Sequence, residues 1–524
     1  MGKRRPNIIL LVLDTQRADR MSIYGCQKHT TPAVGALAEQ STVFEWAIAA
    51  APWTIPSHAS MFTGVYPTVH QANQSYATLP ERLPTLAELL RRNGYETVGF
   101  CNNPLVGLLD NGLKRGFNHF YNYSGTFPDV PDIGDPTVPR RVQRAATAYL
   151  QKILNPVERR FGRSPFLLKM ALTPTIGPFL IRLLRFKGDT RRSIRDATDH
   201  LRYHDRTHPG KPLFLFINTM ETHLPYCPPR DVIEKWVPYL KRDREARDFI
   251  RQFNTQSYRW MTPVSEPFNE IQRTVLRDMY DAEVAYQDRQ LCDLFGHLER
   301  SGRLDNTMLI VTSDHGEGHG DHNLMGHAFS VYNEQVRVPL LIRYPEMFPA
   351  GHRVTHNVST RRAFHTVLDA ADIERETYEH SVKDLSLSRS VEGAHRELED
   401  EVVVAEAYPS LNLVKVVEMS DPGAIETFRM RMMRRTIYYG QSKLITVGGQ
   451  RDEFFNVRRD PYETQNLLSS PEGCGQDAVR LDQMLDGFIA AAEARRDGTI
   501  RGDQIDLGDK DEVRERLRGL GYID

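Results

Sequence analysis

Cysteine is scarce in this sequence and shows no pairing pattern. The 524 residues contain five cysteines, an odd number, and no two of them form a Cys-x-x-Cys pair. They stand at Cys26, Cys101, Cys227, Cys292 and Cys474. This excludes a disulfide framework and a zinc knuckle as organising elements, and it favours a reducing compartment.

Long hydrophobic runs are equally absent. The apolar run at residues 8–13 ends at Asp14 and is shorter than the core of a secretory signal, which needs about 7–15 apolar residues. No stretch reaches the ~18 apolar residues of a membrane span. We therefore expect a cytoplasmic protein with neither a signal peptide nor a transmembrane segment.

An excess of charge of one sign is missing from the whole chain but not from one segment. The formal net charge is −1, and we expect no nucleic-acid partner. Residues 140–195, however, hold 14 Lys and Arg against two acidic residues. This segment is either a helical insertion that packs its apolar face on the domain, or a basic cap. Such a cap would make peripheral contact with an anionic membrane or gate an anionic substrate.

Apolar strands alternate with helical patterns through the first two thirds of the chain. Strands are predicted at residues 7–13, 95–100, 212–220, 306–314 and 338–345, and helices at residues 84–92 and 272–300. This alternation predicts an α/β fold, in which helices cover both faces of a large, mostly parallel sheet.

The last part of the chain changes to short strands joined by tight turns. Strands are predicted at residues 401–408, 435–440, 443–448 and 452–457, with a helix near residues 476–495. We expect a catalytic α/β domain over residues 1–390, with a basic helical insertion at about 138–205. A small C-terminal antiparallel β subdomain with a terminal helix would then span residues 391–524.

Acidic and imidazole side chains follow three of the predicted strands. Asp14 ends the first strand, Asp314 and His315 end another, and Glu221 and His223 follow a third. Sites in open α/β sheets form at the carboxyl ends of strands, and carboxylates with imidazole are ligands for a divalent cation. One aspartate at a strand end is more often a cap or a turn residue, but two such ends favour a metal site.

The segment WTIPSHASMFTGVYP, residues 53–67, raises the question of which hydroxyl could react. A proline-restricted turn leads into a short apolar helix that ends near Thr63. A hydroxyl at the start of this helix would lie in the positive field of unsatisfied N–H groups, which also attracts an anionic ester. Taken alone, Thr54 or Ser57 can equally be a helix N-cap.

The order of these motifs resembles the sulfatase family of the alkaline phosphatase superfamily. The matching pieces are NIILLVLDTQRAD, TIPSHASMFTGVYP, METHLPY, VTSDHGEGHGDHNLMGH, VYNEQVRVPLLI and FFNVRRDPYETQNL. The resemblance covers nearly the whole chain and implies a sulfatase-type α/β domain with a small C-terminal antiparallel sheet. It also implies metal-dependent hydrolysis of an anionic ester, whether a small molecule, a lipid or a glycan.

The resemblance further implies a role for each matching residue. The implied metal ligands are Asp14, Thr54, Asp314 and His315. Thr54 matches the nucleophile position, and His58 falls where many sulfatases have an arginine that supports the nucleophile. The residues expected to bind the transferred group or to protonate the leaving oxygen are His223 and His327, with His322 as a further substrate contact.

The expected cofactor is one divalent cation. Oxygen-rich ligation with one imidazole suits Mg²⁺, Mn²⁺ or Ca²⁺, and Zn²⁺ is not excluded. Thr15 stands where many sulfatases have a second aspartate ligand. A second metal would need a further aspartate at the required place, and no clear candidate stands there, so a second metal is not favoured.

Thr54 also marks a departure from the family. Sulfatases use a formylglycine made from cysteine or serine, and threonine, a secondary alcohol, cannot be oxidised to that aldehyde. Thr54 can still attack directly as a metal-activated nucleophile. A threonine phosphoester can be hydrolysed by an in-line water, so phosphodiester, phosphonate or related esters are the expected substrates.

Three alternatives stay open. The first is a sulfuric ester hydrolase, similar to arylsulfatases, that acts without formylglycine. The second is a phospho-headgroup transferase, which the basic segment supports and the lack of transmembrane helices opposes. The third is a non-catalytic binding protein on a sulfatase scaffold, which the intact Asp14, Thr54, Asp314 and His315 oppose. The oligomeric state is not predicted.

Overall fold

The computed structural model describes most of the chain. The described residues are 5–125, 128–131, 187–255, 267–374, 381–391, 402–469 and 475–501. Most of the basic insertion predicted at about 138–205 lies outside these residues, and only its last part, from Lys187 onward, is described.

A large sheet of nine strands forms the centre of the molecule. Its strands are β1 (Asn7–Leu13), β2 (Thr42–Ile48), β3 (Glu96–Cys101), β4 (His119–Asn122), β5 (Leu213–Thr219), β6 (Thr307–Thr312), β9 (Arg337–Val338), β10 (Leu340–Arg343) and β11 (Arg353–Ser359). A separate hairpin of β7 (Gly318–His319) and β8 (Met325–Gly326) lies between β6 and β9 in the chain. The strand order is β11-β2-β10-β6-β1-β5-β3-β4, and β9 pairs with β2. Only the pairings made by β9 and β10 are antiparallel in this sheet, which confirms the predicted mostly parallel sheet.

Helices cover both faces of this sheet. The helices of residues 32–370 are α1 (Pro32–Ala38), α2 (Thr54–Thr63), α3 (Pro67–His70), α4 (Leu86–Arg92), α5 (Pro104–Gly107), α6 (Thr190–Thr207), α7 (Arg230–Trp236), α8 (Arg244–Thr255), α9 (Glu270–Arg300), α10 (Asn333–Val336) and α11 (Ala363–Ala370). The long α9 starts at a capping box, in which Asn269 and Gln272 exchange side-chain and backbone hydrogen bonds. Within the described ranges, no helix combines the length and apolarity needed to cross a bilayer.

The central strand β1 shows why the sequence folds into layers. All seven of its residues are buried, and successive side chains point to opposite faces. Ile8, Leu10 and Val12 join one core with α2, α4 and α11. The alternate residues, with Ile9 among them, join a second core with α1, α6 and α9. A strand buried on both faces must be apolar throughout, which is why the run NIILLVL was readable in the sequence.

A four-stranded antiparallel sheet follows, as predicted. The elements of this region are β12 (Val402–Ala407), α12 (Leu411–Ser420), α13 (Pro422–Thr427), β13 (Arg434–Tyr439), β14 (Ser442–Val447), β15 (Gln450–Asn456) and α14 (Gly475–Arg501). One face of the small sheet packs against Trp46 and Ile48 of β2, and the other packs against α14 through Leu481 and Leu485. The small sheet is therefore held between β2 of the large sheet and the last described helix. The domain boundary at residue 390 stays a prediction.

Candidate active site

Asp14 and Asp314 lie at the carboxyl ends of the two central strands. Asp14 directly follows β1, and Asp314 follows β6 after one intervening residue. The two strands are parallel neighbours, so their carboxyl ends meet at one edge of the sheet. Ligand atoms of Asp14, Asp314 and His315 lie within 4.8 Å of one another, and all three residues are buried. The structure thus brings together three of the four residues predicted to bind metal.

Neither of these carboxylates is neutralised by a lysine or an arginine. In the described part of the chain, no such cation forms an ion pair with Asp14 or Asp314, and Asp14 Oδ1 and Asp314 Oδ2 have no hydrogen-bond partner. Burial raises the pKa of both carboxyls to about 7, and the charge of Asp314 adds to the rise at Asp14. Orphaned carboxylate oxygens beside an imidazole are the donor set of a divalent cation, so the residues present fit such an ion.

Thr54 presents its hydroxyl to this group of side chains. It is the first residue of α2, and its Oγ1 lies 3.5 Å from His315 Nε2. Asn103 Nδ2 donates to Thr54 Oγ1 at 3.2 Å and to Asp14 Oδ2 at 2.6 Å. A single amide therefore joins the hydroxyl to the carboxylate, and the predicted convergence of residues 14, 54 and 314 is present in the structure.

The other hydroxyls near the start of the same helix face elsewhere. Ser57 Oγ donates to the backbone carbonyl of Asp314 at 2.6 Å, and Ser60 Oγ lies 3.1 Å from His70 Nε2. The N-cap position is held by Trp53, which makes no side-chain cap, so neither Thr54 nor Ser57 is the N-cap that the sequence left open. Of these hydroxyls, the one on Thr54 contacts the side chains of the ligand group.

His58 lies one helical turn behind Thr54. Its Nδ1 donates to the carbonyl oxygen of Thr54 at 2.9 Å and lies 3.5 Å from Asp314 Oδ2. Burial lowers the pKa of His58 to about 3, so the ring is neutral near pH 7. The imidazole contacts the backbone of the Thr54 turn rather than the Thr54 hydroxyl.

Two further predicted histidines form a cluster with His315. The ring centroid of His327 lies 4.4 Å from that of His315 and 5.0 Å from that of His223. Glu317 Oε1 lies 2.8 Å from His327 Nδ1. Burial lowers the pKa of His223 to about 3 and of His327 to about 4, and it raises the pKa of Glu317 to about 7. Glu317 can therefore fix the tautomer and the orientation of His327.

The substrate contact predicted for His322 has no support in the structure. Its Nδ1 lies 3.0 Å from Glu334 Oε1, and its Nε2 lies 3.1 Å from the carbonyl oxygen of Glu463. The ring stacks on Tyr332 with centroids 3.7 Å apart. Both ring nitrogens are thus used in contacts toward the small sheet, and none of the described contacts of His322 reaches Asp14, Thr54 or His315.

Thr15 contributes backbone groups rather than a ligand side chain. Its φ of 58° lies in the left-handed region, which is unfavourable for a β-branched residue. In this conformation its N–H donates to Asp314 Oδ1 at 3.3 Å, and its hydroxyl donates to the carbonyl of Asp14 at 2.7 Å. Strained backbone of this kind persists where the surroundings fix it, commonly at functional sites.

Sequence reasoning missed three polar residues that contact the site. Asn103 and Asn218 both donate to Asp14 Oδ2, at 2.6 and 3.2 Å, and Glu317 contacts His327. Asn103 follows β3, and Asn218 is the last but one residue of β5, so the strand-end rule that identified Asp14 could have found both. Glu317 stands in a loop rich in glycine and histidine and carries no comparable positional signal.

Comparison with known proteins shows the family and the fold of this chain. The family model described as Sulfatase matches residues 6–373. An arylsulfatase of Clostridium perfringens is 22% identical over 518 residues, which cover 96% of this chain and 97% of that protein. A phosphonate monoester hydrolase of Agrobacterium radiobacter has a TM-score of 0.62 at 18% identity, with 94% of this chain and 96% of that chain covered. A structure solved in complex with its substrate D-glucosamine-2-N, 6-O-disulfate has a TM-score of 0.63 at 18% identity, with 94% and 98% covered.

The family match extends from β1 through the large sheet to just past α11. It contains the carboxylates, the threonine and the three clustered histidines described above. It spans well over half of the 524 residues. The chain belongs to the sulfatase family of ester hydrolases.

Proposed function

We propose that this protein is a divalent-metal-dependent hydrolase of phosphodiesters, phosphonate monoesters or related anionic esters, with Thr54 as its nucleophile. The observation that carries the proposal is the position of Thr54 Oγ1, which contacts Asn103 and His315 beside two unneutralised carboxylates. The neighbouring hydroxyls of Ser57 and Ser60 are bonded elsewhere.

The residues that would hold the cation are Asp14, Asp314 and His315, with the Thr54 oxygen beside them. A divalent cation bound there would shield the negative charge of the ester and favour ionisation of the hydroxyl. Among the described residues, this is the only group of three or more His, Cys, Asp or Glu with ligand spacing, which supports one cation rather than two. Oxygen donors with one imidazole favour Mg²⁺, Mn²⁺ or Ca²⁺.

The first half of the proposed reaction transfers the phosphoryl group to Thr54. The Thr54 oxygen forms a bond to phosphorus as the bond to the leaving oxygen breaks, and the hydroxyl proton passes to solvent. His58 holds the carbonyl of Thr54, so it acts as a positioning residue for the helix start. The first N–H groups of α2 have no side-chain cap and would face the anionic group.

Proton transfer in both halves is proposed to pass through His327. The imidazole of His327 is neutral near pH 7, so the proton that it gives to the leaving oxygen in the first half is replaced at Nδ1 by one from Glu317, whose pKa is about 7. His223 lies beside it as a contact to the transferred group. In the second half the same imidazole accepts a proton from the water that attacks phosphorus and returns one to Glu317. The bond from Thr54 to phosphorus breaks, and the Thr54 oxygen takes up a proton from solvent, which returns the enzyme to its starting state.

Sulfate esters are the second candidate substrate. The specific observation in their favour is that the curated relatives include an arylsulfatase of similar length. A phosphonate monoester hydrolase also shares the fold, with a TM-score of 0.62. The two substrate classes must therefore be separated by experiment.

The deciding experiment is a panel of esters that share one leaving group. Metal-loaded protein would be assayed on bis-p-nitrophenyl phosphate, p-nitrophenyl phenylphosphonate and p-nitrophenyl sulfate. We expect kcat/KM for the phosphorus esters to exceed that for the sulfate ester by about 10-fold or more, because a threonine phosphoester is open to in-line hydrolysis. A preference for the sulfate ester would support the second candidate.

Variants of Thr54 test the nucleophile on the same panel. Thr54→Ala should lower kcat by about 1,000-fold or more while the metal content stays unchanged. Thr54→Ser, which keeps a hydroxyl, is the matched control and should retain far more activity. Mass spectrometry of quenched wild-type reactions should find a p-nitrophenyl phosphoryl group from the diester, or a phenylphosphonyl group from the phosphonate, on the peptide that contains Thr54. Full turnover by Thr54→Ala would place the nucleophile elsewhere.

A further inference from the structure

A wide cleft lined by arginine lies between α6 and α9, which cover one face of the large sheet. Its volume is about 580 Å³, which is in the range of ligand pockets. The lining residues are Asp189, Arg191, Arg192, Ile194, Arg195, Thr198, Arg202, Gln290, Asp293, His297 and Arg300. Five guanidinium groups against two carboxylates give the lining a clear positive excess. None of these residues belongs to the candidate active site.

The arginines of α6 stand where a helix does not favour cations. Arg191, Arg192 and Arg195 lie in the first two turns of this helix, which begins at Thr190. The N-terminal end of a helix carries a partial positive charge, so it stabilises acidic side chains and opposes basic ones. Helix stability therefore does not explain Arg191, and a ligand of negative charge would.

Charge pairing within the protein involves some of these arginines, since Arg192 and Arg195 lie 3.6 and 3.4 Å from Asp196. Arg202 has a side chain that is 57% exposed, and it pairs with the exposed Asp199 on its own helix. Within the described residues, neither Arg191 nor Arg300 has an ion-pair partner. Exposed pairs such as Arg202 with Asp199 are weak, and an incoming anion can compete with them.

His297 lines the same cleft and is largely buried. Only 9% of the residue is exposed, and its Nε2 has no hydrogen-bond partner among the described residues. Burial and the nearby charges of Arg202, Arg303 and Arg300 lower the pKa of His297. An anion bound beside these arginines would offset their charge and raise this pKa.

We propose that this cleft is a second anion-binding site, which takes a soluble ligand that carries several sulfate or phosphate groups. The cleft is much larger than one tetrahedral anion needs, and its cations extend from Arg191 at one end of α6 to Arg202 near the other. Such spacing suits several charged groups on one molecule. The proposal does not depend on the chemistry assigned to Thr54.

One structural link joins the cleft to the active-site loop. Gln290, which lines the cleft, donates to Glu221 Oε1 at 3.2 Å, and Thr190 donates to Glu221 Oε2 at 2.6 Å. Glu221 lies two residues before His223 in the loop after β5. A ligand in the cleft would therefore lie next to the elements that position this loop.

Binding of two polyanions tests the proposal. Sucrose octasulfate and inositol hexakisphosphate would be titrated into the metal-loaded protein by calorimetry at constant ionic strength, so that the two arms separate sulfate from phosphate ligands. We expect at least one of them to bind with one site per chain. The double variant Arg202→Gln with Arg300→Gln should weaken that binding by about 10-fold or more, because two cations of the lining are lost.

The matched control is Arg206→Gln, which removes an exposed arginine from the same helix without changing the cleft. It should leave binding within about twofold of wild type, since Arg206 is not part of the lining. All changed side chains are exposed, and circular dichroism would confirm that each variant is folded. Equal loss in the control, or no loss in the double variant, would show diffuse attraction by surface charge and overturn the proposal.

A second readout concerns His297 directly. Addition of the polyanion should raise the pKa of this imidazole, whose signal the His297→Gln variant would identify in histidine-labelled NMR spectra. Thr54→Ala should bind the polyanion as tightly as wild type, because the two sites are separate. A pKa of His297 that does not change at saturation would overturn the assignment of the site, even where the activity proposed for Thr54 is confirmed.

Discussion

Two regions of the molecule differ in the partners of their buried charged groups. At the joint between the two sheets, Lys443 and Glu463 both have fully buried side chains, and Nζ lies 2.5 Å from Oε1. At the strand-end site, Asp14 and Asp314 are equally buried and lie close together, but no lysine or arginine of the described residues pairs with either of them. The joint also contains the half-buried His322 and its partner Glu334.

The difference separates charges that hold the fold together from charges that need a ligand. The ammonium group of Lys443 also donates to the carbonyl of Val331 at 2.7 Å, so the chain itself supplies its partners. Within the described residues, Asp14 and Asp314 have no such cation beside them, and each keeps one oxygen without a hydrogen-bond partner. An unpaired buried carboxylate destabilises a protein, so two of them close together indicate a site that is completed by a cation.

The largest effect is expected when one carboxylate of the site is neutralised. Asp314→Asn should abolish binding of the divalent cation and lower kcat/KM by about 10,000-fold, equivalent to ~5 kcal/mol. The shape of the side chain is kept, so the fold should be unchanged. Metal analysis after dialysis and the ester assay measure both effects. Retention of the metal would show that Asp314 is not a ligand.

A change at the joint should affect stability instead of chemistry. Lys443→Met leaves the carboxylate of Glu463 buried without its partner, which should lower the free energy of unfolding by about 3–5 kcal/mol. Urea denaturation measures the loss. Metal content per folded chain should equal that of wild type, because the joint does not contact the ligands.

The double variant Lys443→Met with Glu463→Gln is the control for this change. It removes the stranded charge together with its partner and should recover more than half of the lost stability. A double variant no more stable than Lys443→Met would mean that lost packing, rather than the buried charge, explains the effect.

The joint should also respond to pH through His322. Burial opposes protonation of this ring, but contact with Glu334 outweighs it and raises the pKa of His322 to about 9, compared with 6.5 for an ordinary histidine. The folded state holds this proton more tightly, so the stabilisation is complete below pH 6.5 and is lost as the pH rises through 9. The loss should reach about 3 kcal/mol. His322→Gln should flatten this part of the stability profile, and an unchanged profile would contradict the assignment.

Much of the fold could be predicted from the sequence because its central strands are buried on both faces. The predicted strand at residues 7–13 agrees with β1, and the strand predicted at residues 212–220 contains β5. The strands β2, β4 and β11 were not predicted. β11 (RVTHNVS) lies at the edge of the sheet and mixes polar with apolar residues, so it carries no continuous apolar run.

The part of the site that lies at strand ends could be predicted, because the position of a residue at the end of a strand indicates where its side chain lies. Asp14 and Asp314 follow central strands, and their convergence was visible from that rule. For His322, the family resemblance implied a substrate contact. Its φ of 52° and its contacts with Glu334 and Glu463, which lie 12 and 141 positions away, direct it to the joint instead. No local sequence pattern predicts contacts with residues so far away in the chain.

The smallest expected effect compares the two regions most directly. The same kind of substitution should change the free energy of unfolding with opposite signs at the site and at the joint. In metal-free protein, Asp14→Asn should raise the free energy of unfolding by about 1 kcal/mol, since it removes one of two like charges that are buried together. The amide can still accept a hydrogen bond from Asn103. Glu463→Gln, the same change at the joint, should lower stability because Lys443 loses its counter-charge. Urea denaturation in EDTA measures both variants.

With saturating cation, wild type should become more stable than Asp14→Asn, because wild type gains binding energy that the variant cannot gain. A loss of stability in both metal-free variants would show that the carboxylates of the site are stabilised by the chain itself, as they are at the joint.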